Sequence, residues 1–275
     1  MHHQPQHRVL LLSLLALCAI ALCGMTEIRI PPPRSSAVRV QAAGAVVSTG
    51  TGTGTSWQQD LQALRLSGYR PSDYSYNAGS DAIWTDKMGK YNASQSVDAQ
   101  KPILVGDYLQ MSTATQARWL QNGLIATDDV VYAIKFSLDE YTPESTMFLD
   151  GVNSGGRVLF GVLESSGYKY CAFRASLAQW PSSTAPSTNI VHAALWTHRS
   201  TTDGDAKLYV NGSSQGAASG YTNIQSLNAG MIIGRANFDS IVYAMRGRIY
   251  GVDIYNTALT DAQLASASLP AYWDY

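Results

Sequence analysis

The chain has 275 residues, 45% of them hydrophobic and 14% charged, with a formal net charge of -1. That charged fraction lies well below the roughly 25% of ordinary globular proteins, and Gly, Ser, Thr, Asn, Gln and Tyr fill the gap. A near-neutral balance without a Lys/Arg cluster argues against a nucleic-acid partner, since phosphate binding relies on clustered cations. The length suits one large domain or two small ones.

Residues 1–25 form a distinct segment. From Val9 to Met25 seventeen residues pass without a charge around a Leu-rich centre. Three readings fit that run: a signal-like segment with Ala19-Ile20-Ala21 before a cleavage point, a short embedded helix at the lower limit for spanning a bilayer, or a start placed too early, with Met25 opening the mature chain. Residues 26–56 read as an extended arm. Pro31–Pro33 is stiff punctuation, and the Gly-Thr alternation from Gly50 to Thr55 is linker-like. Such an arm can lie along a neighbouring subunit as an added strand.

The folded body is expected over residues 57–275. "WQQDLQAL" gives one or two amphipathic helical turns and "LRLSGY" a first strand. A loop-rich stretch from Ser72 to Gln100 carries Trp84, either a packing anchor or a platform for stacking a sugar. Strands follow at short spacing: Ile103–Met111, a run around Arg118–Ile125, Val130–Leu138, "STMFLDG", "RVLFGVLE", "YKYCAFRA" and "NIVHAALWTHR". In Val130–Leu138 the residues Tyr132, Ile134, Phe136 and Leu138 alternate with Val131, Ala133, Lys135 and Ser137, the period of a sandwich strand. On "VHAALWTH" the same alternation puts His192, Ala194, Trp196 and His198 on one face. That face is either a covered second layer or an aromatic-imidazole stripe open to a glycan or protein.

Asn211-Gly212 marks a type I′ hairpin. Along "RIYGVDIY" the alternation groups Tyr250, Val252 and Ile254 on one face and Ile249, Gly251, Asp253 and Tyr255 on the other, as in a central strand near a sheet rim. Thr260 caps a last short helix with Gln263 completing a capping box, while Leu259 and Leu264 form a hydrophobic staple. About twelve strands and one terminal helix indicate an all-β, two-sheet antiparallel jelly-roll sandwich.

"WTHRSTTDGDAKLYVNGSSQGAASG", "IIGR" and "GRIYGVDIYNTALTDAQ", together with "YRPSDYSYNAGSDAIWTDKMGKYNASQSVDAQKPIL" upstream, resemble the laminin-G-like, concanavalin A-like domains of bacterial and bacteriophage proteins. The resemblance spans about Leu64 to Tyr275. It implies a sandwich that serves in lectins, glycosidases and structural modules alike. Relatives of this type hold calcium with Asp and Asn oxygens of rim loops, for which Asp150, Asn153, Asp203 and Asp205 are available here. The Glu-x-Asp-x-Glu strand of glycosidases with this fold is absent. The four glutamates, Glu27, Glu140, Glu144 and Glu164, do not alternate on one strand, although glycoside hydrolysis needs two facing carboxylates. Cys171 stands alone in the body and reads as a small buried hydrophobe.

The expected function is therefore a non-catalytic structural or adhesive module of a bacteriophage particle, present in multiple copies and tied to neighbouring virion proteins through the arm. Contact with surface glycans would run through Trp84, His192, Trp196 and His198. The alternative is a secreted or cell-surface carbohydrate-binding protein.

Overall fold

The computed structural model describes residues 56–275 apart from 77, 114–115, 117, 125–128, 141–144, 152–158, 164–168, 175, 181–182, 184–185, 187, 199–204, 217, 219–229, 237–242 and 275. Helix α1 (Ser56–Leu64) leads into β1 (Ser67–Tyr69), β2 (Tyr74–Ser75), β3 (Ala82–Trp84), β4 (Ala93–Gln95), β5 (Ile103–Val105), β6 (Tyr108–Gln110) and β7 (Leu120–Gln121). Then come β8 (Asp129–Leu138), β9 (Ser145–Gly151), β10 (Leu159–Leu163), β11 (Lys169–Arg174), β12 (Ser176–Gln179), β13 (Val191–His198) and β14 (Asp205–Val210). The chain closes with β15 (Ser213–Ser214), β16 (Met231–Ile233), β17 (Gly247–Tyr255) and helix α2 (Asp261–Ala267).

All pairings are antiparallel and make two sheets. One has eight strands in the order β15-β14-β13-β8-β17-β6-β5, with β1 also paired to β17; the other has nine, in the order β12-β11-β10-β9-β16-β7-β4-β3-β2. The expected two-sheet sandwich is what forms. Its core lies between the sheets because the apolar alternation of each strand faces inward. Tyr132, Ile134, Phe136 and Leu138 of β8 meet Phe148, Phe160 and Tyr170 of the other sheet. The rings run as a chain, Phe136–Phe148 at 4.3 Å, Phe148–Phe160 at 5.3 Å and Phe160–Tyr170 at 6.1 Å. Such pairs add about 0.5–1.5 kcal/mol each beyond area burial.

The eight-stranded sheet is covered on its outer face too. Val131, Ala133, Ala194 and Tyr255 pack under Leu61 of α1, Leu259, Leu264 and Ala267 at α2, and Tyr272 and Trp273 beyond it. Helix α2 starts as expected: the Thr260 hydroxyl accepts the Gln263 backbone N–H at 3.3 Å, and Gln263 Oε1 accepts the Thr260 N–H at 2.9 Å. Leu259 and Leu264 both enter this layer. The hairpin also forms, with Asn211 at φ 49° and Gly212 at φ 81°. Its tip docks on the end of α2, where the Gly212 N–H donates to Ser268 Oγ at 3.0 Å.

Two local expectations are corrected. Ile103–Met111 is a hairpin of β5 and β6 rather than one strand, turned at Gly106 with φ 58°. In β17 a register shift between Ile249 and Gly251 inserts Tyr250 as an extra residue. Ile249 thereby joins Val252 and Ile254 in the inter-sheet core. Asp253 stands opposite Ala133 in mid-sheet, fully buried and far from any rim. Its carboxylate is matched by Arg70 at 2.8 Å and Arg65 at 3.5 Å, and it accepts the Tyr272 hydroxyl. Burial, then the Asp253 charge, pushes the Tyr272 and Tyr255 phenols well above their usual range, so both remain protonated. Gly68 and Gly251 make room for this cluster. A Cβ on Gly68 would fall 2.6 Å from Asp253 Oδ1, and one on Gly251 2.8 Å from the Trp273 ring.

Candidate functional site

Of the predicted ligand residues only Trp196 and His198 are brought into contact. Trp84 is fully buried in β3, packed on Tyr69 at 5.3 Å, with its indole N–H donating to the Arg70 carbonyl. A ring with no accessible face cannot stack on a sugar, so Trp84 is a packing anchor. His192 is also buried; burial first, and the neighbouring Lys135 charge second, pull its imidazole below the ordinary range. Trp196 and His198 do form a pair, stacked at 5.9 Å and 20°. Asp129 Oδ1 accepts the Trp196 N–H at 3.0 Å and lies 2.9 Å from His198 Nδ1. The Lys207 ammonium lies over the Trp196 ring at 5.4 Å, and the ring packs half-buried on the layer beneath α2. This surface of Trp196 is largely used by the protein itself.

Of the calcium set, Asn153 and Asp203 lie outside the described residues, as does the Asp205 side chain. Asp150 is fully buried within β9 opposite Ile232, a strand position and not a rim loop. Asp205 opens β14 in the other sheet. Among the described residues no three His, Cys, Asp or Glu are grouped to hold a metal ion.

A different site emerges on the outer face of the nine-stranded sheet. Register places Ile83 of β3 opposite Ser94 of β4, Ser94 opposite Gln121 of β7, and Gln121 opposite Ile232 of β16. Their sequence neighbours Ala82, Ala93, Leu120 and Ile233 point the other way, into the core. A groove of about 410 Å³ runs over this row, with Asp81, Ser96 and Trp119 at one end and Asn92, Asn122 and Gly123 at the other.

Trp119 forms a wall of this groove, and its orientation is set from three sides. Its indole N–H donates to Gln100 Oε1 at 3.2 Å, its backbone N–H to the Gln100 carbonyl at 2.9 Å, and the Arg235 guanidinium covers the ring at 4.0 Å. The far end is equally fixed. Asn122 Nδ2 donates to the Tyr69 hydroxyl at 2.8 Å, while its Oδ1 accepts the Leu124 and Met231 N–H groups at 3.0 and 3.2 Å. Asn92 Oδ1 accepts the Asp86 N–H at 3.0 Å. Asp86 in turn organises the turn between β3 and β4: its carboxylate accepts the N–H groups of Gly68, Met88, Lys90 and Tyr91 at 2.8–3.1 Å. Burial opposes its charge, but those four donors prevail and hold the carboxyl below the usual carboxylate range.

Against this fixed frame, the side chains of Asp81, Ser94, Ser96 and Gln121 have no hydrogen-bond partner among the described residues. Gln95 Oε1 accepts the Val97 N–H at 3.0 Å, which leaves its Nε2 donor, beneath the groove, without an acceptor there. The groove thus joins an immobilised indole to uncommitted hydroxyl, amide and carboxylate groups. Sequence reasoning missed it, although Trp119-Leu120-Gln121 has the right signal: an apolar inward residue flanked by two outward ones able to bind.

A second hollow, of about 650 Å³, lies beside the edge strand β5 and is bounded by Tyr74, Tyr76, Lys101, Ile103, Leu104 and Arg118. Lys101 is tied there to Asp98 and the Ser80 carbonyl, and Arg118 Nη2 donates to Gln116 Oε1 at 2.7 Å. Ile103, Leu104 and Val105 are all exposed along this edge. Among the described residues no helix is long and apolar enough to cross a membrane.

Comparison with known proteins places the fold. Trypanosoma rangeli sialidase as its covalent intermediate with 2,3-difluorosialic acid is similar at 14% identity and a TM-score of 0.56, over 84% of this chain and 35% of the sialidase. The same enzyme with sialic acid gives 14%, 0.55, 81% and 34%. Domain 4 of an extracellular arabinanase from Geobacillus stearothermophilus, in complex with arabinotriose, is 15% identical over 73% of this chain and 85% of that one, at a TM-score of 0.43. The chain spans about a third of the sialidase length, and likeness at such identity is one of fold. No curated protein sequence matches the chain. A family model described as the concanavalin A-like lectin/glucanases superfamily matches residues 109–265, more than half of the chain, and the protein belongs to that superfamily.

Proposed function

We propose that this domain is a non-catalytic glycan-binding module whose site is the groove over β3, β4 and β7. The observation that carries this reading is Trp119, oriented by Gln100 and Arg235 beside side chains that have no hydrogen-bond partner among the described residues. A sugar ring offers an apolar C–H face to an indole and hydroxyls to amide, serine and carboxylate groups, and this groove supplies both. A glycosidase would need two carboxylates across the bond to be broken. The groove has one, Asp81. Elsewhere Glu140 is paired with Arg246 at 2.9 Å, while Glu144 and Glu164 lie outside the described residues. On a glycan array the protein should retain specific sugars, and Trp119→Ala should abolish retention in a variant that still unfolds cooperatively, at a stability cost of about 2 kcal/mol for a half-buried indole. Retention that survives Trp119→Ala would place the site elsewhere.

The finer reading is that the module sits on a bacteriophage particle as a head-decoration or tail component, in several copies held by the arm of residues 26–56. Its support is the sequence resemblance together with the exposed apolar edge Ile103–Val105, since an unpaired strand edge is a ready docking line for another chain. Mass spectrometry of purified particles should find the chain in multiple copies with Met1 or Met25 at its N-terminus. A mature form starting near Gly24 in culture medium would favour the secreted lectin instead.

A further inference from the structure

Resting on the glycan-binding reading, we infer that the groove selects neutral sugars and rejects those bearing a carboxylate. The charge of its lining decides this. Among the described residues lining the groove, Asp81 alone carries a formal charge, and none is Lys, Arg or His. Asp81 is exposed and forms no ion pair among the described residues, and the Lys101 ammonium on the neighbouring Ser80 carbonyl is paired with Asp98 instead. Arg235 meets the groove only through Trp119: it is buried, and its guanidinium carbon lies over the indole, 4.0 Å from the ring centre. Proteins that hold carboxylate ligands commonly use a guanidinium fork aimed at the anion, and no described residue lining the groove supplies one.

The two ligand types therefore meet opposite conditions. A neutral sugar donates hydroxyl protons to the Asp81 carboxylate, a charge-assisted bond stronger than a neutral one, and exchanges hydrogen bonds with Ser94, Ser96 and Gln121. A sugar acid whose carboxylate sat beside Asp81, about 5 Å away, would meet a charge of the same sign. At an exposed site that repulsion alone lowers affinity about fourfold to tenfold. The acid also gives up hydration without gaining a cationic partner.

The test uses matched probe pairs: a galactose-terminated oligosaccharide with the same chain capped by sialic acid, and a glucose trisaccharide with the corresponding glucuronate. Each is titrated calorimetrically against the wild type and Asp81→Asn, at 20 mM and 300 mM salt. In at least one pair the neutral member is expected to bind tenfold or more tightly, with a gap that narrows at high salt. Asp81→Asn should weaken neutral binding severalfold, strengthen acidic binding and bring the two within about twofold. Equal or tighter binding of the acidic member by the wild type, or an unchanged ratio in Asp81→Asn, overturns the selectivity while leaving the glycan site standing. If no member of either pair binds and a glycan array is also blank, the glycan-binding reading falls and the selectivity with it.

Discussion

Arg70 grips Asp253 through two parallel bonds of 2.8 Å, Nη1 to Oδ1 and Nη2 to Oδ2, across 183 positions of sequence. The same guanidinium lies 4.7 Å from the centre of the Trp273 ring. One contact thus joins the segment after β1, the central strand β17 and the C-terminal turn. Buried pairs of this kind lose about 3–5 kcal/mol when one partner is removed, because the other charge is left unmatched. Asp253→Asn and Arg70→Ala should each lose about that much in denaturant unfolding. The double variant should lose less than the sum. A loss under about 1 kcal/mol in both single variants would show that the clamp is dispensable.

Asp86 gives the fold a defined acid sensitivity. Its folded pKa is depressed, so its stabilising contribution is complete above the unfolded carboxylate value of about 3.9 and is lost as pH falls through the lower folded value. Wild-type stability should therefore drop more steeply below about pH 4 than that of Asp86→Asn. At pH 7 the variant should be less stable by about 2 kcal/mol or more, since hydrogen bonds to a charged group are replaced by weaker ones. Parallel urea titrations from pH 2.5 to 7 check both points. Parallel stability-versus-pH curves would show that the four N–H donors do not hold the charge.

Much of the architecture could be read from local chemistry. Asn211-Gly212 tolerates positive φ at both positions, and the Thr260–Gln263 box is complete within four residues, so neither depends on distant partners. The alternation in β8 is intact and sorted its residues correctly between the two layers. Where a bulge intervenes, as at Tyr250, alternation misassigns faces, because nothing within a short run announces an extra residue. The groove was hidden for a related reason. Ser94 and Gln121 belong to short strands, and Asp81 immediately precedes another, whose pairing is set by tertiary register, while Trp119 lies about forty positions from Asp81. Trp84 drew notice as an aromatic in a loop-rich stretch, yet its partner, the Arg70 carbonyl, could not be inferred from sequence.

The two tryptophans singled out in the sequence should differ in stability rather than in binding. Trp84 is fully buried, and Trp84→Ala should cost about 3–5 kcal/mol. Trp196 is half-buried and bonded to a partly exposed Asp129, so Trp196→Ala should cost less, about 2 kcal/mol, and the variant should still fold cooperatively. Thermal unfolding followed by circular dichroism distinguishes these outcomes. A Trp196 variant that fails to fold would mean that the layer beneath α2 depends on this ring.

The central claim is that a glycan sits against Trp119. Each indole N–H gives its own signal in a ¹⁵N-labelled sample, and single Trp→Phe variants assign them. Titrating with an oligosaccharide retained on the array should shift the Trp119 signal and leave those of Trp84 and Trp196 in place. Movement of the Trp196 signal with Trp119 unchanged would contradict this account and return the site to the outer face of the eight-stranded sheet.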